Sequence, residues 1–465
     1  MRIERRTNAA EAAGGAAGIT GAGRTRAPGR ARPPRNAGRT CSAVARDAAM
    51  SAFALKGGVL HVEDVAMPDL AQRFGTPCYV YSRAAITAAY TAFDQAFASR
   101  PHRICYAVKA NSNLAVLDVL ARLGAGFDIV SGGELLRVIA AGGDPGKTIF
   151  SGVGKTEDEI RLALEHGIEC FNVESGAELD RIDRLAGAAG KRAPVSFRVN
   201  PDVDARTHPY ISTGLKENKF GVAYADAVPL YRRAAALPHI EVVGIGFHLG
   251  SKMMDPAPAI EAAGKVFALL DALAGEGIAL RHFDVGGGLG VPHEPGEAEA
   301  DLAGYARGLL QLLEGRSETL VFEPGRYLVG NAGALLTRVE YLKPGESKNF
   351  AIVDAAMNDL IRPALYAAYH EMLPVTPRPG AKATWQIVGP VCESADFLGH
   401  DRELALAAGD LLAVMSAGAY GFVMSSNYNT RGRACEVMID GARAHLIRER
   451  ESAPLLFCHE SILPR

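Results

Sequence analysis

The chain has 465 residues, 48% of them apolar, more than one ordinary domain needs and enough to bury two cores. Its 50 basic and 52 acidic residues leave a net charge of −2, so no overall field draws nucleic acid or an anionic membrane to it, and a small-molecule partner is expected. No window holds the roughly 20 apolar residues that span a bilayer and no secretory signal opens the chain, which points to the cytoplasm; seven cysteines without a CxxC pair or His-rich spacing argue against a disulfide framework, and no metal is expected.

Residues 1–49 carry ten arginines and three acids among Ala, Gly and Pro stretches without apolar periodicity, and are expected to be disordered. Their make-up imitates a transit peptide, but Met50 reads as a natural start, so an extended or mis-set start is the preferred reading. Over 50–80, GGVLHVEDV and TPCYVYS read as strands that join a later β domain.

From Cys105 onward, short runs rich in Val, Ile and Phe alternate with stretches whose apolar residues recur at three and four. The strand segments are 105–110, 126–131, 148–152, 169–175, 194–200, 242–250, 281–288 and 319–326. Between them lie helices such as TEDEIRLALEHG, with Thr156 and Glu159 spaced for a capping box and Gly167 placed to end it. Eight strands, each followed by a helix, predict a (β/α)8 barrel over 81–330, with its site at the C-terminal strand ends. A doubly wound open sheet is the alternative that the count disfavours. After Gly330 the pattern turns to strands with turn punctuation, predicting a mainly β domain, a sandwich or small barrel, over 331–465.

Four predicted strand ends carry chemistry. Lys109 ends the first in YAVKAN, where desolvation and a neighbouring cation would lower its pKa toward that of a nucleophilic amine. His248, Gly250 and Ser251 end the sixth. Gly286, Gly287 and Gly288 end the seventh and let backbone N–H groups approach a phosphate. Glu323, Pro324, Gly325 and Arg326 end the eighth. Singly, each has a plainer explanation: a surface lysine, a satisfied core histidine, a tight turn, a local ion pair. Together they converge on one rim, which structure alone rarely requires.

The motifs YAVKAN, FHLGS, VGGGLG, EPGR, GPVCESADFLG and GAYGFVMSSNYNTR resemble the alanine-racemase-fold (fold-type III) decarboxylases that use pyridoxal 5'-phosphate (PLP), in particular the diaminopimelate decarboxylases, over about Ala52 to Leu463. The resemblance implies that Lys109 carries PLP as a Schiff base, that His248 stacks on the ring, and that Gly250, Ser251 and Gly286–Gly288 surround the phosphate. It further implies that Glu323 meets the pyridine nitrogen, with Pro324, Gly325, Arg326 and Tyr420 beside the cofactor. Arg326, Arg362, Tyr366, Glu393 and Tyr420 would hold the substrate, the arginines gripping its distal carboxylate and Glu393 its ammonium. Cys392 becomes the catalytic thiol, donated with Glu393 across a homodimer interface. One departure stands: Gly432 follows SSNYNTR where proline is expected.

The activity implied is decarboxylation of meso-2,6-diaminopimelate to L-lysine and CO2. A relative acting on D-ornithine, D-lysine or a carboxylated polyamine would lack part of the Arg362, Tyr366 and Glu393 set. A racemase would release no CO2, and a non-catalytic PLP protein would lack Lys109 or Cys392.

Overall fold

The computed structural model describes residues 52–203 and 219–465; the stretch 1–49, expected to be disordered, lies outside them. The described chain opens on β1 (Phe53–Lys56), β2 (Val59–Val62) and β3 (Val65–Ala66), then β4 (Cys78–Ser82). The two N-terminal strand segments part company. Gly57 and Gly58 both have positive φ, so β1 and β2 close on each other as a tight hairpin, and β3 completes a separate three-stranded sheet. Only β4 enters the large C-terminal sheet; the hairpin reaches that part of the chain through bonds such as Leu60 N–H to Val375 O at 2.7 Å.

The barrel follows: β5 (His102–Ala107), β6 (Gly126–Ile129), β7 (Thr148–Phe150), β8 (Cys170–Val173), β9 (Ala193–Asn200), the short β10 (Val222–Ala223), β11 (Ile240–Gly246), β12 (His282–Asp284) and β13 (Thr319–Phe322). All pair in parallel, and β8 to β9 and β13 to β5 close the ring of eight, with β10 attached outside it to β9. The strands are short and almost wholly buried, as parallel strands covered by helices must be. The outer helices start where the sequence provides caps. Ser82, Ser131, Ser175 and Asp301 each accept a backbone N–H of the first turn, and Thr156 with Glu159 forms a complete capping box on the helix that Gly167 ends in the left-handed region. Against the barrel, Phe93, Phe97, Tyr305, Phe322 and Tyr327 interlock, Phe93 with Phe322 and Tyr327 and Phe97 with Tyr305 edge to face, and Phe97 with Phe322 tilted at 4.2 Å between centroids.

The remainder is sheet: β14 (Gly333–Lys343), β15 (Asn349–Val353), β16 (Met372–Pro374), β17 (Ala383–Val388), β18 (Phe397–Leu404), β19 (Leu411–Val414), β20 (Cys435–Asp440) and β21 (Arg443–Arg448). The order is β18-β17-β15-β14-β4-β20-β21, with β19 bridging β14 and β16. β4, buried along its whole length, lies between β14 and β20 in the middle of this sheet. Among the described residues no helix is long and apolar enough to cross a membrane.

Candidate active site

The barrel strands stop one to several residues short of the chemistry. β5 ends at Ala107, and Val108–Ala110 form a 3-10 turn that carries Lys109 past the strand to the mouth. The turn is pinned on three sides: Tyr106 Oη donates to Asn111 O at 3.0 Å, Tyr420 N–H to Ala110 O at 2.8 Å, and Asn111 Nδ2 to Gly418 O at 3.1 Å. Two of these come from the C-terminal part of the chain, so the loop bearing Tyr420 is fastened directly to the turn bearing Lys109.

Lys109 donates to the wholly buried Asp128, at the end of β6. Burial alone would pull the ammonium down, but Asp128 and then Glu323 outweigh it, and the pKa is raised. This corrects the expectation of a lowered pKa. The nearest charges are carboxylates where a neighbouring cation was expected.

Beneath Lys109 lies a carboxyl cluster. Glu323 Oε1 accepts from Asn172 Nδ2 at 3.2 Å and Ser151 Oγ at 3.3 Å; Asn172 Nδ2 also lies 3.3 Å from Asp284 Oδ2, and Gly286 N–H donates to Asp284 Oδ1 at 2.8 Å. Burial, then the charges of Asp128 and Asp284, push Glu323 well above the usual carboxyl range, and burial, aided by Asp128 against the hydrogen bonds it accepts, brings Asp284 up to about 6. His248 stands over Glu323, 3.9 Å from Nδ1 to Oε2. Gly287 N–H donates to that same Nδ1 at 3.1 Å, so the nitrogen carries no proton and the contact is not an ion pair. Burial first, then Arg198 and Lys109, hold the imidazole well below its ordinary pKa, hence neutral.

Around this floor the glycines leave no room for side chains. A Cβ on Gly287 would lie 2.0 Å from Glu323 O, one on Gly286 2.4 Å from Phe247 O, and one on Gly288 2.4 Å from Gly250 O. Gly286 and Gly288 also have positive φ. Gly325 sits less tightly, a Cβ there lying 3.0 Å from the Cβ of Ala110 and 3.1 Å from that of Ala107, and the Pro324 carbonyl accepts Ala107 N–H at 3.2 Å. Ser251 Oγ accepts from Arg326 Nη2 at 3.1 Å, tying the turn after β11 to the first residue of the short helix Arg326–Val329.

Arg326 and Arg362, 6% and 5% exposed, face each other beside Tyr366 and Tyr420. The Arg326 guanidinium lies 4.8 Å over the Tyr420 ring. Burial, then repulsion by Arg326, brings Arg362 down to about 9. Among the described residues neither arginine has a carboxylate partner, and Arg326 Nη1 and Arg362 Nε are buried without a hydrogen bond. Such a pair has the charge and the open donors that suit an anion.

Cys392 and Glu393 do not join this assembly within the subunit. Both are exposed on the loop between β17 and β18, where Cys392 N–H donates to Asn429 Oδ1 at 2.8 Å, Glu393 N–H to Val391 O at 2.8 Å, and Glu393 O accepts Asp396 N–H at 3.1 Å. Buried Asp396 shapes the loop, accepting Met357 N–H and Val391 N–H at 2.7 and 2.8 Å.

The residues present fit PLP. Lys109 offers the amine for its aldehyde, and the glycine cradle with Ser251 and Arg326 suits a phosphate. The floor holds three carboxyls, including Asp128 with an unbonded Oδ1, against few cations, and a protonated ring nitrogen supplies the positive charge that it lacks. Sequence reasoning missed Asp128, Ser151, Asn172 and Asp284. The signal was available, since all four sit at or just beyond barrel strand ends, in GFDIVSG, TIFSG, CFNVES and FDVGGG.

Comparison with known proteins gives a consistent picture. The family described as pyridoxal-dependent decarboxylase, pyridoxal binding domain, matches residues 83–330. A diaminopimelate decarboxylase of Pseudomonas aeruginosa is 60% identical over 417 residues, covering 90% of this chain and all of that one, and one of Vibrio cholerae is 57% identical over 88% of this chain and 98% of its own. Among solved structures, diaminopimelate decarboxylase from Helicobacter pylori complexed with L-lysine superposes with a TM-score of 0.82 at 44% identity, covering 85% of this chain and 99% of that one. The M. jannaschii enzyme in co-complex with L-lysine gives 0.85 at 37% identity over 90% and 99%.

Proposed function

The chain belongs to the diaminopimelate decarboxylases of the pyridoxal-dependent decarboxylase family, and on that premise we propose which of its residues carry the reaction. It releases CO2 from meso-2,6-diaminopimelate and leaves L-lysine, the last step of lysine biosynthesis by this route.

Bound at the barrel mouth, PLP supplies an electron sink for the pair left by the broken bond between Cα and its carboxylate. Lys109 would hold the cofactor through its side-chain amine. Glu323, backed by Asp284 and Asn172, would offer its carboxyl to the ring nitrogen, neutral His248 would support the ring, and Gly250, Ser251 and Gly286–Gly288 would hold the phosphate. The C-terminal loop contributes Tyr420 beside Arg326. Arg326 and Arg362 grip the carboxylate that the reaction leaves in place, with Tyr366 as a hydroxyl donor. The observation that carries this reading is the buried arginine pair without a carboxylate of its own, a feature that a diamine-forming decarboxylase does not need.

The proton that replaces CO2 at Cα comes in this reading from the Cys392 thiol of the second subunit of a homodimer, with Glu393 pairing the distal ammonium. A thiol S–H is a chemically competent donor for such a proton. Exposure of both residues on the 389–396 loop supports donation outward to another copy. The reaction is assigned to the cytoplasm, whose reducing conditions suit the six unpaired cysteines of the described residues.

The test is CO2 release by the PLP-loaded enzyme from meso-diaminopimelate, with D-lysine, D-ornithine, L-lysine and L-ornithine in parallel. Turnover confined to meso-diaminopimelate is expected. Turnover only on a substrate without the distal carboxylate would show that the arginine pair has been misread. Cys392→Ala should keep the cofactor and lose at least about a hundredfold in kcat; wild-type turnover would remove the thiol from the mechanism.

A further inference from the structure

We propose that His293 and His370 are positioning residues that hold Arg362 as a cation without a counter-anion, and thereby make the site select substrates that end in a carboxylate. The inference rests on the reading of Arg362 as a substrate clamp.

Arg362 Nη1 lies 3.3 Å from His293 Nε2 and 2.8 Å from His370 Nε2. A guanidinium only donates, so both Nε2 atoms accept, one for each hydrogen on Nη1. On their far sides His293 Nδ1 is 2.8 Å from Val291 O and His370 Nδ1 is 2.8 Å from Met415 O. A carbonyl only accepts, so Nδ1 bears the proton in each ring. The four bonds fix both tautomers and leave neither ring a nitrogen for a second proton. Burial, reinforced by Arg362, agrees with this, bringing His293 down to about 3 and His370 well below its usual range. The rings meet edge to face, 5.5 Å between centroids at 76°, which fixes the angle at which they receive the guanidinium.

The common way to bury an arginine is to pair it with a carboxylate. Here two neutral imidazoles satisfy its hydrogens and leave its charge standing. One comes from the turn that follows the barrel glycines, the other from the segment after the helix Arg362–Tyr366. Arg326 beside it is likewise uncompensated among the described residues, so the charge is offset only when a ligand carboxylate arrives. An aspartate in either histidine position would fill that role from within the protein.

The experiment compares PLP-loaded His370→Asp, His293→Asp, His370→Gln and Arg362→Leu enzymes. Readouts are KM and kcat for meso-diaminopimelate, and calorimetric titration with pimelate, a dicarboxylate that has no amine to react. His370→Asp is expected to raise KM and the pimelate Kd at least about tenfold while kcat stays within about threefold. His293→Asp should act in the same direction if His370→Asp does not fold. His370→Gln, which keeps an acceptor and adds no charge, should recover most of the affinity. The inference is overturned if the Asp variants leave KM and Kd within about twofold while Arg362→Leu raises both, or if Gln weakens binding as much as Asp. If Arg362→Leu changes neither, the clamp reading itself has failed.

Discussion

Asp128 is the residue on which the state of Lys109 depends. It is fully buried, one oxygen takes the lysine and the other has no hydrogen bond, and its charge is the largest influence raising the ammonium pKa. A lysine held protonated must shed its proton before it can bond an aldehyde, and it sheds it more easily without that carboxylate. Asp128→Asn should therefore shift the pH midpoint for reloading PLP onto the apoenzyme downward by about one unit or more, measured by recovery of cofactor absorbance; an unchanged midpoint would assign the raised pKa to another group. Lys109, Glu323 and Arg326 could be read from the sequence because they stand in recognisable strand-end motifs. Asp128 and Asn172 could have been found by the same rule. The two histidines around Arg362 could not, because His293 and His370 are 77 positions apart and only the fold makes them neighbours.

At the scale of elements, the count of eight strands and the capping signals were legible in the sequence, because short buried runs and Thr156–Glu159 spacing are local properties. Strand ends were not. Seven of the eight expected barrel segments ran on into the functional turn, since residues such as Val108 and Gly286 are apolar or small whether or not a ladder continues; the segment 194–200 stopped where β9 does. Those turns are set by long-range contacts, above all the seating of the 417–424 loop on the barrel. Gly418 is the tightest point of that seating: a Cβ there would lie 1.9 Å from Val329 O and 2.9 Å from Gly333 N. Gly418→Ala should cost about 1–3 kcal/mol in thermal stability and lower kcat by displacing Tyr420. Gly264→Ala is the control, with open space in the helix Ala257–Gly275, and should be neutral or stabilising. Equal melting temperatures for the two variants would show that the loop yields at no cost.

At the scale of the whole molecule, the proposed site divides between two copies, with Lys109 in one and Cys392 from the other. Mixing inactive Lys109→Ala and Cys392→Ala enzymes under conditions that exchange subunits should then restore about a quarter of wild-type activity, because half the dimers are hybrids and each hybrid has one complete site. No recovery despite demonstrated exchange would return Cys392 to its own subunit. The place of β4 has a different consequence. It is among the first strands to leave the ribosome, yet its ladder partner Gly333 lies roughly 250 residues downstream and Cys435 roughly 350. The barrel can be complete while this strand, buried along its whole length in the finished fold, still waits, both edges open, for partners that have not been translated. The direction of synthesis and the order in which the sheet can close are opposed, and whatever shields Cys78–Ser82 in the interval is part of what this sequence requires in order to fold.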